Sequence, residues 1–509
     1  MKAVVIGSGL SGLTAGAKLA QEGISVIVFE QFERPGGVTA PLERDGFKWD
    51  LGQLLVEGFG LDEPTGEVLA DLGITGKVPI VKDDRGYVFP DFALTQPETY
   101  GGVKWRIDLL KRLFPEDTAG LDQYWRGYLR FTRLMTIGRA LGKASGLRKL
   151  GLNLKLYWTL LPFLSKLKWS AQQLMDHYFE SDQLKCVFIS ILADFFIKPS
   201  QFLGLGVFAL NYETFYEKRI PKTLRKDTDQ LYLYSVRGGI SSLVDALVAK
   251  IEDHGGKVYC NRPVTRINIA NNRVTDVVDH EGQVTPADMV VASGGARETF
   301  YKLVGVEYLP DAFIRKVDDI TLMDSIFMVH LGVDFDPSPY VHGVCTYFYG
   351  TYDIEGGVEE AKAGSYHEGE KGFVVHIPTL HTPEMAPPGH HAVTVYTICP
   401  DTLKDGSWEE CKEAYADKLV AYAEKYIPGL SQHTSLRVVL TPEDFRKRTY
   451  LDHHAFGGIA PIMGKSGLPH KTPVEGLWFV GAQSESGGGV NSVVTAAFRV
   501  AKAILEESG

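Results

Sequence analysis

The residues whose types and spacing can do chemistry gather at the two ends of the chain. Gly7-Ser8-Gly9-Leu10-Ser11-Gly12 has the GxGxxG spacing of a loop whose backbone amides can meet a phosphate. Gly7 would serve the tight turn, Gly9 the close approach of backbone to a pyrophosphate, and Gly12 the packing of a helix on the preceding strand. Glu30 follows as an acid able to accept hydrogen bonds from both hydroxyls of a ribose, and it would repel the 2′-phosphate of NADP. At the far end, Gly481-Ala482 leads into Gln483-Ser484-Glu485-Ser486-Gly487-Gly488-Gly489-Val490-Asn491, a second glycine loop suited to cradling an oxyanion or a ring carbonyl. Glu485 is the candidate there for proton transfer or for tuning a redox group; a solvent-facing loop carboxylate is the competing reading.

These loops need elements that hold them. KAVVIG is continuously apolar, as a buried parallel strand is, and it runs straight into the first loop. LTAGAKLAQEG follows with Leu13, Ala17 and Ala20 on one helical face and Gly23 placed to close the C-terminus. ISVIVFE is a second strand ending in Glu30, which completes a strand–loop–helix–strand–acid order. GLWFVG and a helix from about Ser492 to Glu507 bracket the second loop in the same way. Between them, Gly238-Gly239 open a helix that Gly255-Gly256 close. KVYCN and VTRINIANNRVTDVVD read as strands, the latter turning at Asn271-Asn272, and PADMVVASGG returns as a buried strand.

After Glu30 and Gln31 come Gly36-Gly37-Val38 and then ERDGFKWDLG, ending in Asp50-Leu51-Gly52. An acid followed by a glycine pair resembles the extended fingerprint of glutathione-reductase-type FAD enzymes. Over essentially its whole length the chain resembles the phytoene desaturase, carotene isomerase and retinol saturase family, within the amine-oxidase-like flavoproteins. The resemblance rests on VVIGSGLSGLTAGAKLAQEGISVIVFEQFERPGG, ERDGFKWDLG, YSVRGGISSLVDALVAKIEDHGGKV and GLWFVGAQSESGGGVNSVVTAAF.

That resemblance implies an α/β architecture. A Rossmann-like FAD-binding domain would be built from segments 1–104, 228–300 and 441–509, with a mixed sheet and helical substrate domain over 301–440 and a helical lid over 105–227. It implies that Gly7, Gly9, Leu10, Ser11, Gly12, Glu30, Gln31, Gly36, Gly37 and Val38 hold the ADP half of FAD, that the Val264 backbone meets the adenine, and that Gly481, Ala482, Gly488, Gly489 and Val490 hold the flavin end. Val38-Thr39 stand where many desaturases and amine oxidases carry Arg, which moves the chain toward the isomerase and saturase side. The C-terminal loop has Gln483, Ser484 and Glu485 and no Cys, so the FAD is expected to be non-covalent. The implied reaction is desaturation, saturation or cis–trans isomerisation of an extended isoprenoid or polyene lipid of carotenoid or retinoid type, with hydride or electron exchange at flavin N5. An amine or other small-molecule flavin oxidase is the alternative, and a flavin- or lipid-binding protein without turnover is a third class.

Composition bounds these readings. The 509 residues exceed one small core, and a formal net charge of -10 argues against nucleic acid as the main partner. Cys186, Cys260, Cys345, Cys399 and Cys411 are scattered, with no CxxC and no metal spacing, so no metal is expected. The apolar run Ala3–Ile6 begins almost at Met1 and enters the glycine loop, so no signal or transit peptide is expected. No apolar run reaches the roughly 18 residues that cross a bilayer. The expected location is cytoplasmic, peripheral on a membrane.

The membrane reading comes from Arg126 to Lys168, where no Asp or Glu occurs. Arg126, Arg130, Arg133, Arg139, Lys143, Arg148, Lys149, Lys155, Lys166 and Lys168 are interleaved there with Tyr157, Trp158, Leu160, Leu161, Phe163, Leu164 and Trp169. Such a segment can meet anionic headgroups with its cations and the interface with its rings; a basic surface packed on its own domain is the alternative. In the later insertion, DSIFMVHLGVDF, GFVVHIPTL and HAVTVYTI read as strands that floor a cavity. The helix that follows carries Cys411, Ala414, Tyr415, Leu419, Tyr422 and Tyr426 at helical spacing, which reads as its core face. His390-His391 and His453-His454 lack partners at ligand spacing and are expected in surface loops.

Overall fold

Five short apolar strands from three distant stretches of chain make one parallel sheet in the computed structural model, which describes residues 1–61, 63–83, 85–95, 105–142, 144–211 and 233–508. Their order across the sheet is Leu477–Val480, Met289–Ser293, Lys2–Ile6, Ser25–Phe29 and Lys257–Tyr259. Val4 pairs with Val290 on one side and Ile27 on the other. The central strand is buried through Ala3, Val4 and Val5, which is why it reads as a continuous apolar run. Helices Leu10–Gln21, Ser241–Asp253 and Val490–Ser508 pack together on one face of this sheet through Leu13, Leu247, Val494 and Ala497. The hairpin Val264–Ala270/Arg273–Asp279 turns at Asn271 and Asn272, whose φ of 51° and 60° are those of a two-residue type I′ turn.

A second, seven-stranded sheet stands beyond it, in the order Thr434–Leu440, Ser325–Val333, His391–Cys399, Gly372–His376, Cys345–Tyr349, Arg85–Val88 and Ala93–Leu94. Both faces are covered, so its strands alternate between two cores. Ile326, Met328, Val374, Tyr347 and Tyr396 face the helices of 105–211, whereas Phe327, Val329, Val375, Val395 and Phe348 face helix Trp408–Glu424. Two of its strands come from the stretch 1–104, which was expected to stay wholly with the dinucleotide-binding segments. Arg85–Val88 pairs in parallel with Cys345–Tyr349 because its alternating Tyr87 and Val88 fit the two cores of this sheet. The core face of helix Trp408–Glu424 also differs from expectation. Trp408, Ala416, Leu419, Val420 and Ala423 are buried, while Ala414 is exposed and Cys411, Tyr415 and Tyr422 flank the contact. The two stripes share Leu419 and differ by about one residue of helical rotation.

The insertion after residue 104 is helical, with Thr118–Gly142 and Gly146–Leu160 as its longest members; its residues 212–227 lie outside those described. Helix Gly146–Leu160 contains no buried residue. Leu150, Leu154 and Trp158 share one face, and Leu147 is 88% and Trp158 69% exposed. No helix among the described residues is long and apolar enough to cross a membrane.

Candidate functional site

The first glycine loop turns on Gly7, whose N–H donates to the Phe29 carbonyl and so ties the loop to the second strand. At Gly12 a Cβ would fall 2.1 Å from the Gly7 carbonyl oxygen, which is the close packing expected of that position. At Gly9 the nearest atom to a Cβ would be the Ser293 hydroxyl at 3.9 Å, so the space there is open. Glu30 is buried, and its carboxylate accepts from the Ser8 N–H at 2.8 Å, from the Ser8 hydroxyl and from the Phe32 N–H at 2.8 Å. Its placement shapes the loop, and Glu30 is part of the cleft lining. Gly36 donates to the Ser8 carbonyl, which draws the glycine pair alongside the first loop.

These pieces line a cleft of about 230 Å³ at the C-terminal edge of the parallel sheet. Of the residues the sequence singles out, Gly7, Gly9, Leu10, Ser11, Glu30, Gln31, Gly36, Gly37, Val38, Gly481, Ala482, Gly489 and Val490 line it. Gly12 and Gly488 stand behind the wall. A Cβ on Gly488 would come 1.7 Å from the Gly457 carbonyl oxygen, so that glycine lets two loops touch backbone to backbone. Val264 is buried in the core beneath Phe29 and is not part of the lining.

Glu485 is exposed and lies outside the cleft, where its carboxylate accepts from the His470 N–H at 3.1 Å. The reason is a tight turn: the Ser484 N–H and hydroxyl both bond the Gly481 carbonyl, at 3.0 and 2.6 Å, which rolls Gln483 inward and Glu485 outward. Gln483 is the polar side chain that the loop presents to the cleft, and its carbonyl oxygen accepts from the Ala296 N–H at 2.7 Å.

Several lining residues carry no local sequence signal. Ser293-Gly294-Gly295 ends a sheet strand at the cleft, with the Ser293 and Ser11 hydroxyls 2.8 Å apart. Arg448 stacks on Phe32 at 4.6 Å and donates to the Ala40 carbonyl, and burial pulls its pKa down to about 10. It brings a guanidinium beside the glycine pair that Val38 leaves without a cation. His454, expected in a surface loop, is buried, stacked on Phe445 at 4.6 Å and hydrogen-bonded through Nδ1 to the Ser325 hydroxyl at 2.7 Å. Burial, with His453 and Arg446 adding to it, pushes its pKa down to about 3, so the ring is neutral, and its Nε2 has no partner among the described residues. Of the other three, His453 spans Asp401 and the Met323 carbonyl, His391 is half-buried against Thr379, and His390 is half-buried, edge-on to Phe47 at 5.9 Å.

The donor set suits a long dinucleotide. Eleven of the lining residues are glycines, two helix N-termini open on the cleft, and Arg448 supplies positive charge. Beyond Phe456 the lining turns aromatic. Its ring is 6.3 Å from Tyr396, which belongs to a separate chamber of about 70 Å³ floored by Tyr347, Tyr349, Tyr396 and Ile398.

A family model for flavin-containing amine oxidoreductases matches residues 10–505. The chain is 25% identical to pyridine nucleotide-disulfide oxidoreductase domain-containing protein 2 of Rattus norvegicus, over 96% of this chain and 90% of the other. It is 24% identical to a lycopene-forming phytoene desaturase of Pseudescherichia vulneris, over 99% of both. It is also 24% identical to the chloroplastic prolycopene isomerase 2 of an Oncidium hybrid, over 100% of this chain and 84% of that one. The crystal structure of an oxidoreductase from Methanosarcina mazei superposes with a TM-score of 0.63 at 19% identity, covering 99% of this chain and 100% of the other.

Proposed function

The chain belongs to the flavin-containing amine oxidoreductases and is an FAD-dependent enzyme whose cofactor is not covalently attached, and from that premise we propose that it acts on an extended isoprenoid or polyene lipid by desaturation, saturation or cis–trans isomerisation. The observation that carries the proposal is the aromatic chamber that meets the cofactor cleft at Phe456 and Tyr396, lined largely by apolar surface. Similarity to phytoene desaturases and prolycopene isomerases adds support.

Bound in the cleft, FAD supplies the two-electron redox chemistry. The chain supplies position. N–H groups at the start of helix Leu10–Gln21 and the Arg448 guanidinium would neutralise the pyrophosphate, and Glu30 would accept from the ribose. Gln53 holds the N-terminus of helix Val490–Ser508 through the Val490 N–H at 2.7 Å, which fixes the loop that faces the ring end of the cofactor. The neutral His454 imidazole stands in the cleft lining and holds a proton on one ring nitrogen, with Nδ1 fixed by the Ser325 hydroxyl. Apolar walls exclude water and align the substrate chain, in keeping with a reaction that needs orientation more than strong acid–base groups.

A lipid substrate reaches the protein from a membrane, and helix Gly146–Leu160 supplies the surface for it. Leu147, Leu150, Leu154, Tyr157 and Trp158 are exposed beside the exposed Arg148, Lys149 and Lys155, a combination suited to an anionic bilayer interface.

The decisive experiment is anaerobic incubation of the FAD-loaded protein, oxidised and reduced, with phytoene, poly-cis carotenes and retinol in liposomes. Flavin bleaching with oxidised enzyme marks desaturation, and isomer change without net redox marks isomerisation. Reduction of the flavin by amines, with no response to any polyene, overturns the proposal in favour of an amine oxidase.

A further inference from the structure

The chamber next to the cofactor cleft is not a plain hydrocarbon pocket. Its floor is the lid-facing side of the seven-stranded sheet, where Tyr347, Tyr349 and Tyr396 replace the aliphatic residues found at Ile326 and Met328 on the same face. Above them stands Asp194, from the turn after residue 192. Asp194 lies deep inside the protein yet keeps accessible surface, and that surface opens into the chamber. The Tyr347 hydroxyl is the side-chain hydrogen-bond partner beside its carboxyl. Burial pushes its pKa up to about 7, with Arg85 and the Tyr347 hydroxyl drawing it partly back.

A carboxyl that burial leaves with one hydroxyl partner keeps its other acceptor positions unpaired, which costs several kcal/mol in an apolar setting. A chamber meant only for hydrocarbon would meet that cost each time substrate displaced water from the Asp194 carboxyl. A ligand that brings its own oxygen removes the penalty. An ammonium fits less well, because the Arg85 guanidinium, which stands 5.6 Å over the Tyr347 ring, already offsets the carboxylate charge. What remains is polarity with little net charge, and that suits a neutral hydroxyl or carbonyl.

We propose that this chamber receives an oxygenated end of the polyene substrate, a hydroxyl or carbonyl recognised by Asp194 with the Tyr347 hydroxyl beside it, so that the enzyme selects an oxygenated polyene over the hydrocarbon of equal length. This rests on the polyene reading above. It adds the chemical class of the terminus and names Asp194 as the residue that sets specificity.

The test uses the FAD-loaded full chain and three polyenes of one length: the hydrocarbon, its terminal alcohol and its terminal aldehyde, each in liposomes of one composition. A site built to bond an oxygen discriminates strongly against the analogue that lacks it. The expected result is a kcat/KM at least about tenfold higher for the alcohol or the aldehyde than for the hydrocarbon; whichever of the two is favoured identifies the group. Asp194→Leu and Tyr347→Phe bring that ratio toward one while FAD content stays as in the wild type. Asp194→Leu removes a carboxyl whose charged form burial disfavours, so its melting temperature is expected to hold or rise, which separates lost recognition from lost folding. Equal turnover of all three polyenes, or a ratio that survives Asp194→Leu, overturns the assignment and leaves the polyene reading standing. Absence of turnover with every polyene, together with flavin reduction by amines, removes the polyene reading and this assignment with it.

Discussion

At the scale of single residues, the glycines of the first loop divide into two roles that substitution can separate. A methyl group on Gly12 meets the Gly7 carbonyl oxygen at 2.1 Å, so Gly12→Ala must shift backbone and is expected to cost more than about 2 kcal/mol of stability. Gly9 has an ordinary helix-entry φ of -64° and nothing within 3.9 Å of its missing Cβ. Gly9→Ala is therefore expected to fold with apo-protein stability changed by less than about 1 kcal/mol, yet to bind FAD at least about tenfold more weakly, because the methyl group fills space meant for the pyrophosphate. Denaturant melts of the apo-protein and FAD titration check the pair. Asp50 gives a second residue-scale prediction. Its carboxyl accepts from the Ile240 N–H at 3.0 Å and holds the Gly238-Gly239 turn, but burial pushes its pKa up to about 6. The folded protein thus disfavours the charged form. That penalty is full above pH 6 and is relieved as pH falls from about 6 toward about 4, a difference of about 3 kcal/mol at about 1.4 kcal/mol per pH unit. Asp50→Asn keeps an acceptor for Ile240, so its stability at neutral pH is expected to exceed that of the wild type, with the gap closing near pH 4. A gap of constant size across that range would show that Asp50 does not titrate in this way.

At the scale of elements, the sequence revealed most where an element carries its own pattern. Lys2–Ile6, Leu10–Gln21, the Asn271-Asn272 hairpin and the C-terminal helix were readable because strand runs, glycine loops and turn residues are local signals. Ser293, Arg448 and His454 were not readable as cleft residues, since each arrives at the cleft through pairing of segments distant in sequence. His453-His454 looked like a polar loop; only the stacking on Phe445 and the bond to Ser325 show that one of the two is core. Glu485 was misplaced for a similar reason, because the direction of a side chain in a glycine-rich turn depends on which carbonyl closes it. Helix Gly146–Leu160 supplies the prediction at this scale. Its outward leucines and Trp158 touch little of the protein, so Leu150→Glu with Trp158→Glu should change stability by no more than about 1 kcal/mol, about 0.5 kcal/mol for each surface site. Sedimentation with vesicles containing anionic lipid should lose most of the bound protein in this variant, and in the wild type binding should weaken as salt rises. Wild-type binding that is indifferent to both changes would remove the helix as a membrane contact.

At the scale of the whole molecule, the cleft is assembled from the beginning, middle and end of the chain, so a ligand bound there braces all three. FAD present at 100 times its dissociation constant is expected to add about 2.7 kcal/mol to unfolding, and Gly9→Ala is expected to forfeit most of that gain at the same FAD concentration. Thermal melts with and without FAD measure it. The same connectivity governs how the protein is made. The edge strand Leu477–Val480 closes the parallel sheet on Met289–Ser293, and the cleft has no ring end before it emerges. At about 5–20 residues per second, a ribosome needs roughly 24–95 s to reach it. For that interval the first apolar strands wait with their late partner still unmade. Cofactor capture is thereby deferred to the moment of chain release, and the apoprotein emerging from the ribosome is the form most exposed to aggregation and to chaperones.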